Sequence, residues 1–140
     1  MRILHIDTAT EWRGGQNQIV LTAEGQIRLG HDVLVFANAK GELAARAAQA
    51  SVPVHQAEVG RGDLSWRTLS AIRGAVIAFG PDVIHVHESH GIPGAIFAAG
   101  RVSRRPRLIA SRRVDFPLRL GSRLKYGRMD RILAVSRAVR

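Results

Sequence analysis

Two adjacent glycines, Gly14-Gly15, lie between an apolar run, Ile3-Leu4-His5-Ile6 closed by Asp7, and the start of a helical pattern. Glycines in that place let the backbone turn tightly and leave the first amides of the helix facing open space, which suits an anionic oxygen. A plain turn requirement is the structural alternative. Gln16, Asn17 and Gln18 follow, and their side-chain amides could hydrogen-bond hydroxyl or phosphate oxygens or simply cap the helix. No G-x-G-x-x-G follows the apolar run and no G-x-x-x-x-G-K-[ST] occurs anywhere, so the two common nucleotide-cofactor readings lose support.

A second chemistry-bearing stretch is Val83-Ile84-His85-Val86-His87-Glu88, with His90 two residues on. His85 and His87 alternate with apolar residues and so share one face of a strand. They lack a third ligand at a standard zinc spacing, so no metal is expected. His85 reads as a core histidine and His87, at the carboxyl end, as the one facing a crevice. Glu88 could serve as a base or bind a sugar hydroxyl. The third stretch, Arg112-Arg113-Val114-Asp115, could hold a phosphate with its arginines, or Asp115 could pair with one of them to shape the loop.

Strands and helices must alternate to bring these stretches together. Ile19, Ala23 and Ile27 recur every four residues beside Val20, which predicts a helix over 16–29 ended by Gly30. Val33-Leu34-Val35-Phe36 is a second buried strand run, 41–50 an alanine-rich helix, and Ser51 to His55 an edge strand with Pro53 at its start. Asp63 is a candidate N-cap for a helix carrying Leu69, Ile72, Val76 and Phe79, stopped by Gly80-Pro81. After Val83 to His87 come a glycine-interrupted helix over 89–102, a strand at Leu108 to Ala110, a helix over 116–128, and a strand at 132–135 leading into a helix at Ser136. Six strand–helix alternations with short connections predict an α/β doubly wound parallel sheet, three layers deep (α/β/α), in the order 3-2-1-4-5-6. The switch point then falls between the first and fourth strands, where all three stretches meet.

At 140 residues the chain is one domain's length and can bury a core without disulfides; it has no cysteine, which agrees with a reducing cytosol. No secretory signal opens it, and the longest weakly polar stretch, Gly91 to Gly100, is too short to span a bilayer. The net charge of +10 is uneven: residues 1–100 hold 8 basic and 9 acidic side chains, residues 101–140 hold 13 and 2. That basic segment suits phosphate, an anionic membrane or nucleic acid, or else a solvated or partner-facing surface. Arg101, Arg104, Arg105 and Arg107 precede a strand and so lie on the edge away from the crevice, as a solvated or membrane-facing patch. Aromatic residues are too scattered to form a stacking platform, which argues against nucleic acid.

Met1-Arg2-Ile3-Leu4, Gly14-Gly15, Leu29-Gly30-His31-Asp32-Val33, Pro81-Asp82-Val83-Ile84-His85-Val86-His87 and Asp130-Arg131-Ile132-Leu133-Ala134-Val135-Ser136, in that order and spacing, resemble the N-terminal domain of GT-B, family-4-like (group 1) retaining glycosyltransferases. The resemblance implies that residues 1–140 form one Rossmann-like domain, the acceptor-side half of an enzyme whose donor-binding domain is absent here. It implies transfer from a nucleotide-sugar donor to a sugar or lipid-linked acceptor in cell-envelope polysaccharide or glycolipid synthesis, in the cytoplasm and peripherally at the inner membrane face. Gly14 and Gly15 would offer amides to the donor diphosphate, and His87 and the Ser111 to Asp115 loop would line the acceptor side, with no metal or other cofactor. The chain departs from the family pattern at Gln16-Asn17-Gln18, where Glu or a small residue is common, and at Arg112-Arg113, where many members have a histidine. The domain alone is expected to transfer no sugar. The alternatives are a non-catalytic α/β module for an anionic ligand or nucleic acid, and a GT-B-fold sugar-nucleotide epimerase.

Overall fold

In a computed structural model of the chain, which describes residues 1–113 and 120–134, strand β1 (Arg2–Asp7) lies at the centre of a six-stranded sheet. It is followed by α1 (Gly14–Arg28), β2 (Asp32–Asn38), α2 (Glu42–Gln49), β3 (Val54–Ala57) and α3 (Trp66–Phe79). Then come β4 (Val83–Val86), a 3-10 turn at Ser89–Gly91, α4 (Ile92–Ala99), β5 (Arg107–Arg112), α5 (Leu120–Tyr126) and β6 (Arg131–Ala134). The strand order is β3-β2-β1-β4-β5-β6 and every pairing is parallel, the doubly wound Rossmann-like topology expected.

The unbroken apolar runs are explained by burial on both faces. On one face Leu4, Ile6, Phe36, Ile84, Val86, Leu108 and Ala110 pack against α3 and α4 through Ile72, Val76, Ile92 and Ala95. On the other, Val33, Val35 and Ala37 pack against α1 and α2 through Ile19, Ala23, Leu43 and Ala47. Alternation along β1 therefore sends His5 and Asp7 toward the α1 side, where both are almost fully buried. Gly30 (φ 86°) and Gly80 (φ 62°) close α1 and α3 in the left-handed region that glycine enters most cheaply.

Several boundaries differ from the sequence reading. Residue 65, not Asp63, is the N-cap of α3, because the Asp63 carboxylate is engaged by His90 and Lys125 instead. Strand β3 begins after Pro53, whose missing N–H keeps it out of the ladder, and the helix expected over 89–102 is a 3-10 turn followed by the shorter α4. Asp115, the first residues of the helix expected over 116–128, and the helix expected from Ser136 lie outside the described residues.

Candidate functional site

The carboxyl ends of β1, β4 and β5 and the N-terminus of α1 converge on one crevice. Register pairs His5 with His85, so β1 and β4 present His5, His85 and His87 side by side on the α1 face. Their ring centroids are 4.0 to 5.4 Å apart. Beyond β5, the Arg113 guanidinium reaches back across the top of β4 and its Nη2 donates to His87 Nδ1 at 3.0 Å.

That one contact fixes the direction of a longer chain. Arginine has only donors, so His87 Nδ1 must accept and His87 must carry its proton on Nε2. His87 Nε2 donates to His5 Nδ1 at 2.8 Å, and His5 Nε2 in turn donates to Gln26 Oε1, on α1, at 2.7 Å. Beside the chain, His85 Nε2 bonds Ser111 Oγ at 2.8 Å. All three rings are neutral at pH 7. Burial lowers the His5 pKa, against the bond to Gln26; burial and then the neighbouring His5 and Arg113 charges lower His85 to about 4; burial and then His85, His5 and Arg113 hold His87 well below the usual range.

The ring nitrogens of His5, His85 and His87 lie within 4.8 Å of one another, so the fold supplies in His5 the third ligand that the sequence spacing did not reveal. The donor set is that of a late transition-metal site. The hydrogen bonds already engage both nitrogens of His5 and of His87, and a cation there would face the Arg113 charge.

Arg113 also covers the start of α1. A Cβ built on Gly15 would fall 2.2 Å from Arg113 Nη1, so the guanidinium rests against the glycine backbone, whereas the same construction on Gly14 meets nothing within 4 Å. Gln16 is buried: its Oε1 accepts from the Arg13 N–H at 3.0 Å and its Nε2 donates to Asp7 Oδ2 at 3.1 Å. Asp7 Oδ1 accepts from the Ala9 N–H at 2.9 Å. Burial raises the Asp7 pKa, opposed by those bonds and by the Arg113 charge. The Gln16 and Asn17 amides both donate to the Arg13 carbonyl, and Gln16 takes the Arg13 amide, which leaves Gly14 and Gly15 as the helix-start amides without a helical acceptor.

Other expected residues are placed differently. His87 is 5% exposed and lies beneath Arg113, whereas His85 is the more open ring, because α1 and Arg113 cover the end of β4 more fully than its middle. Glu88 turns away from His87. Its Oε1 accepts from Thr8 Oγ1 at 2.9 Å and from the Thr8 amide at 3.3 Å, and its Oε2 accepts from the His90 amide at 2.6 Å. Burial and then Asp7 raise its pKa. Arg112 and Arg113 diverge as successive residues of a strand end must: the Arg112 charge acts on Tyr126, in the α3–α4 core, and that of Arg113 on Asp7. Asn17 is exposed on the first turn of α1. At the opposite edge of the sheet Arg104 pairs with Asp82 and Arg105 with Asp130, so part of the arginine patch is tied to strand starts.

Two further cavities flank the crevice. A polar cleft of about 250 Å3 is lined by Thr8, Asn38, Thr68, His90 and the Gly60–Gly62 loop. A larger apolar groove of about 740 Å3 runs between Leu64, α4 and α5. Its rim carries Lys125 and Arg128, and Leu64 and Leu124 are both more than two-thirds exposed along it.

Residues 13–140 match the family described as the glycosyl transferase 4-like domain. The chain belongs to that family. Among solved structures, this glycosyl transferase 4-like domain is similar to a glycosyltransferase from Rickettsia africae (13% identity, 96% of this chain and 36% of that one, TM-score 0.77). It is similar also to Anabaena HepE in complex with UDP and glucose (19% identity, 80% and 29%, TM-score 0.62). A third is a UDP-N-acetylglucosamine 2-epimerase from Listeria monocytogenes (10% identity, 99% and 40%, TM-score 0.73). At these identities the structures show the GT-B fold of the domain and not its chemistry. The domain spans 29 to 40% of the length of these three. No curated protein matches the sequence. No helix among the described residues is long and apolar enough to cross a membrane.

Proposed function

We propose that the chain is the acceptor-side domain of a glycosyltransferase that moves a sugar from a nucleotide-sugar donor to a sugar or lipid-linked acceptor in envelope polysaccharide or glycolipid assembly. The observation that carries this reading is the Arg113 guanidinium resting against Gly15 at the start of α1, where the Gly14 and Gly15 amides have no helical acceptor. In the transfer, an acceptor hydroxyl forms a bond to the sugar's anomeric carbon and gives up its proton. The bond from that carbon to the diphosphate breaks, and the nucleoside diphosphate leaves with the electron pair. Amides at a helix start and a fixed guanidinium are suited to the charge that grows on the leaving oxygen, a role that calls for no metal. The donor's base and ribose then belong to a second domain beyond this chain, and the 140 residues alone should turn over no sugar nucleotide.

The acceptor side is read from the two flanking cavities. The Thr8, Asn38, Thr68 and His90 cleft has the hydroxyl and amide lining that a sugar needs. The apolar groove with its basic rim suits the tail and phosphate of a lipid-linked acceptor, held at an anionic cytoplasmic membrane face.

The test uses the product of the complete gene, radiolabelled UDP-sugars and membrane extract. Label should pass into lipid or polymer, and Arg113→Ala should lower the rate about a hundredfold, as loss of one preorganised donor to a developing oxyanion does. Transfer at the wild-type rate in Arg113→Ala, or no transfer from any UDP-sugar, would overturn the reading.

A further inference from the structure

The hydrogen-bond chain that ends at Arg113 begins on α1, away from the crevice mouth. Gln26, half-buried on the last turn of α1, is twelve residues on from Gly14 at the helix start, and His5 is fully buried mid-strand. Neither carries out chemistry in the reading above. Yet the direction of every bond between them and Arg113 is determined. Arg113 can only donate, so each imidazole must accept on Nδ1 and donate on Nε2, and the chain closes only on an acceptor, which Gln26 Oε1 is. A donor in place of Gln26 Oε1 would reverse both rings and set a His87 Nδ1–H against the Arg113 N–H.

We propose that Gln26 and His5 are positioning residues for the crevice: through this one-way chain they fix the tautomer of His87 and thereby hold the Arg113 guanidinium over Gly15, where it meets an anionic oxygen of a diphosphate. The part that concerns the diphosphate rests on the glycosyl-transfer reading; the control of Arg113 does not. The chain explains why the two buried rings of His5 and His87 stay uncharged beside a cation, since each nitrogen along it has a partner of the right kind. It also explains why a long polar side chain sits on a face of α1 that otherwise packs Ile19, Val20 and Ala23.

The experiment is nitrogen-15 spectroscopy of the histidine rings, which distinguishes Nδ1–H from Nε2–H, paired with binding of inorganic pyrophosphate. In the wild type at pH 7, His5 and His87 should both be neutral with the proton on Nε2. Gln26→Glu keeps an acceptor and should keep both tautomers and an affinity within about twofold of wild type, less than the effect of one ordinary hydrogen bond. Gln26→Lys offers only donors; both rings should move to Nδ1–H, Arg113 should leave Gly15, and pyrophosphate should bind about tenfold more weakly, the loss of one charge-assisted hydrogen bond. A wild-type His87 protonated on Nδ1, or wild-type tautomers and affinity in Gln26→Lys, would overturn the proposal. So would tight uptake of Zn2+ with loss of both Nε2–H signals, which would assign the histidines to a metal. Should Gln26→Lys not fold, the wild-type and Gln26→Glu spectra still decide. If the tautomers behave as stated and pyrophosphate binds no variant, the positioning of Arg113 stands and the diphosphate reading falls.

Discussion

Arg113 occupies the space that a side chain at position 15 would need: a Cβ on Gly15 would lie 2.2 Å from its Nη1, and the nearest other Arg113 atom to that Cβ is Cζ at 3.4 Å. The glycine is there for the guanidinium's sake and not for a special backbone angle. Gly15→Ala should therefore push Arg113 off His87 Nδ1 and leave that buried nitrogen without its donor, at a cost of about 1–3 kcal/mol. Gly14→Ala meets nothing and should be neutral or slightly stabilising, since alanine is the better helix former. Urea denaturation of the two variants measures the difference. In an Arg113→Ala background the difference should disappear; if it persists, the crowding is not what selects glycine at this position.

Three imidazoles kept neutral by burial make stability depend on pH with a definite sign. Their folded pKa values lie below the 6.5 of a free imidazole, that of His85 at about 4. Below pH 6.5 the unfolded chain takes up protons that the folded one refuses, so stability is full above that value and is lost as pH falls toward about 4. Each histidine contributes up to about 1.4 kcal/mol per pH unit in that window. Asp7 and Glu88, whose pKa values are raised, act in the opposite direction as they protonate, and flatten the acid end of the curve. A urea midpoint unchanged between pH 7 and 5 would contradict this, and His85→Gln should make the slope shallower.

The sequence made the frame legible because the frame is written in local patterns. The runs around Ile3 and Val83 lack alternation since both faces are covered, and the order of elements with short connections leaves few topologies. The place of the crevice was legible for the same reason, since Gly14-Gly15 sits at a helix start and Arg113 just past a strand end, but His87, expected to face it, lies buried beneath Arg113. What could not be read was pairing at a distance. His5 and His87 are 82 residues apart, and their bond requires the β1–β4 register as well as their adjacency. The one available signal was that His5 and Asp7 alternate in β1 as His85 and His87 do in β4, so that a parallel pairing could bring all four to one face. Glu88 was misleading because its neighbour in sequence, His87, points to the other face, and its partner is Thr8.

Glu88 is held by donors alone: the Thr8 hydroxyl and amide on one oxygen and the His90 amide on the other. This ties the loop after β1 to the 3-10 turn after β4 and closes the floor of the polar cleft. Glu88→Gln has nearly the same shape but must present its NH2 to one of those donors. It should destabilise the chain by about 1–3 kcal/mol, the cost of a buried polar group left without a partner. Thr8→Ser keeps the hydroxyl and should cost less. Equal midpoints for Glu88→Gln and wild type would show that the carboxylate's contacts carry no stability.

The groove beside α5 tests the membrane part of the proposal. Leu64 and Leu124 are 76% and 68% exposed on its rim, so replacing both with aspartate should change stability by no more than about 0.5 kcal/mol. If the groove seats lipid, that double variant should lose binding to vesicles containing anionic phospholipid, because it removes apolar area and adds repulsion at one stroke. Arg128, which lines the same groove, and Arg123, exposed on α5, add attraction that salt should weaken, since the screening length falls from about 10 Å at 0.1 M to about 3 Å at 1 M. Sedimentation with vesicles at both salt concentrations separates the two contributions: Arg123→Glu with Arg128→Glu should abolish the salt-sensitive part and leave an apolar remainder that the leucine variant removes. Wild-type binding that is equal for neutral and anionic vesicles, or that survives the leucine substitutions, would place the lipid contact elsewhere and leave the groove for another occupant.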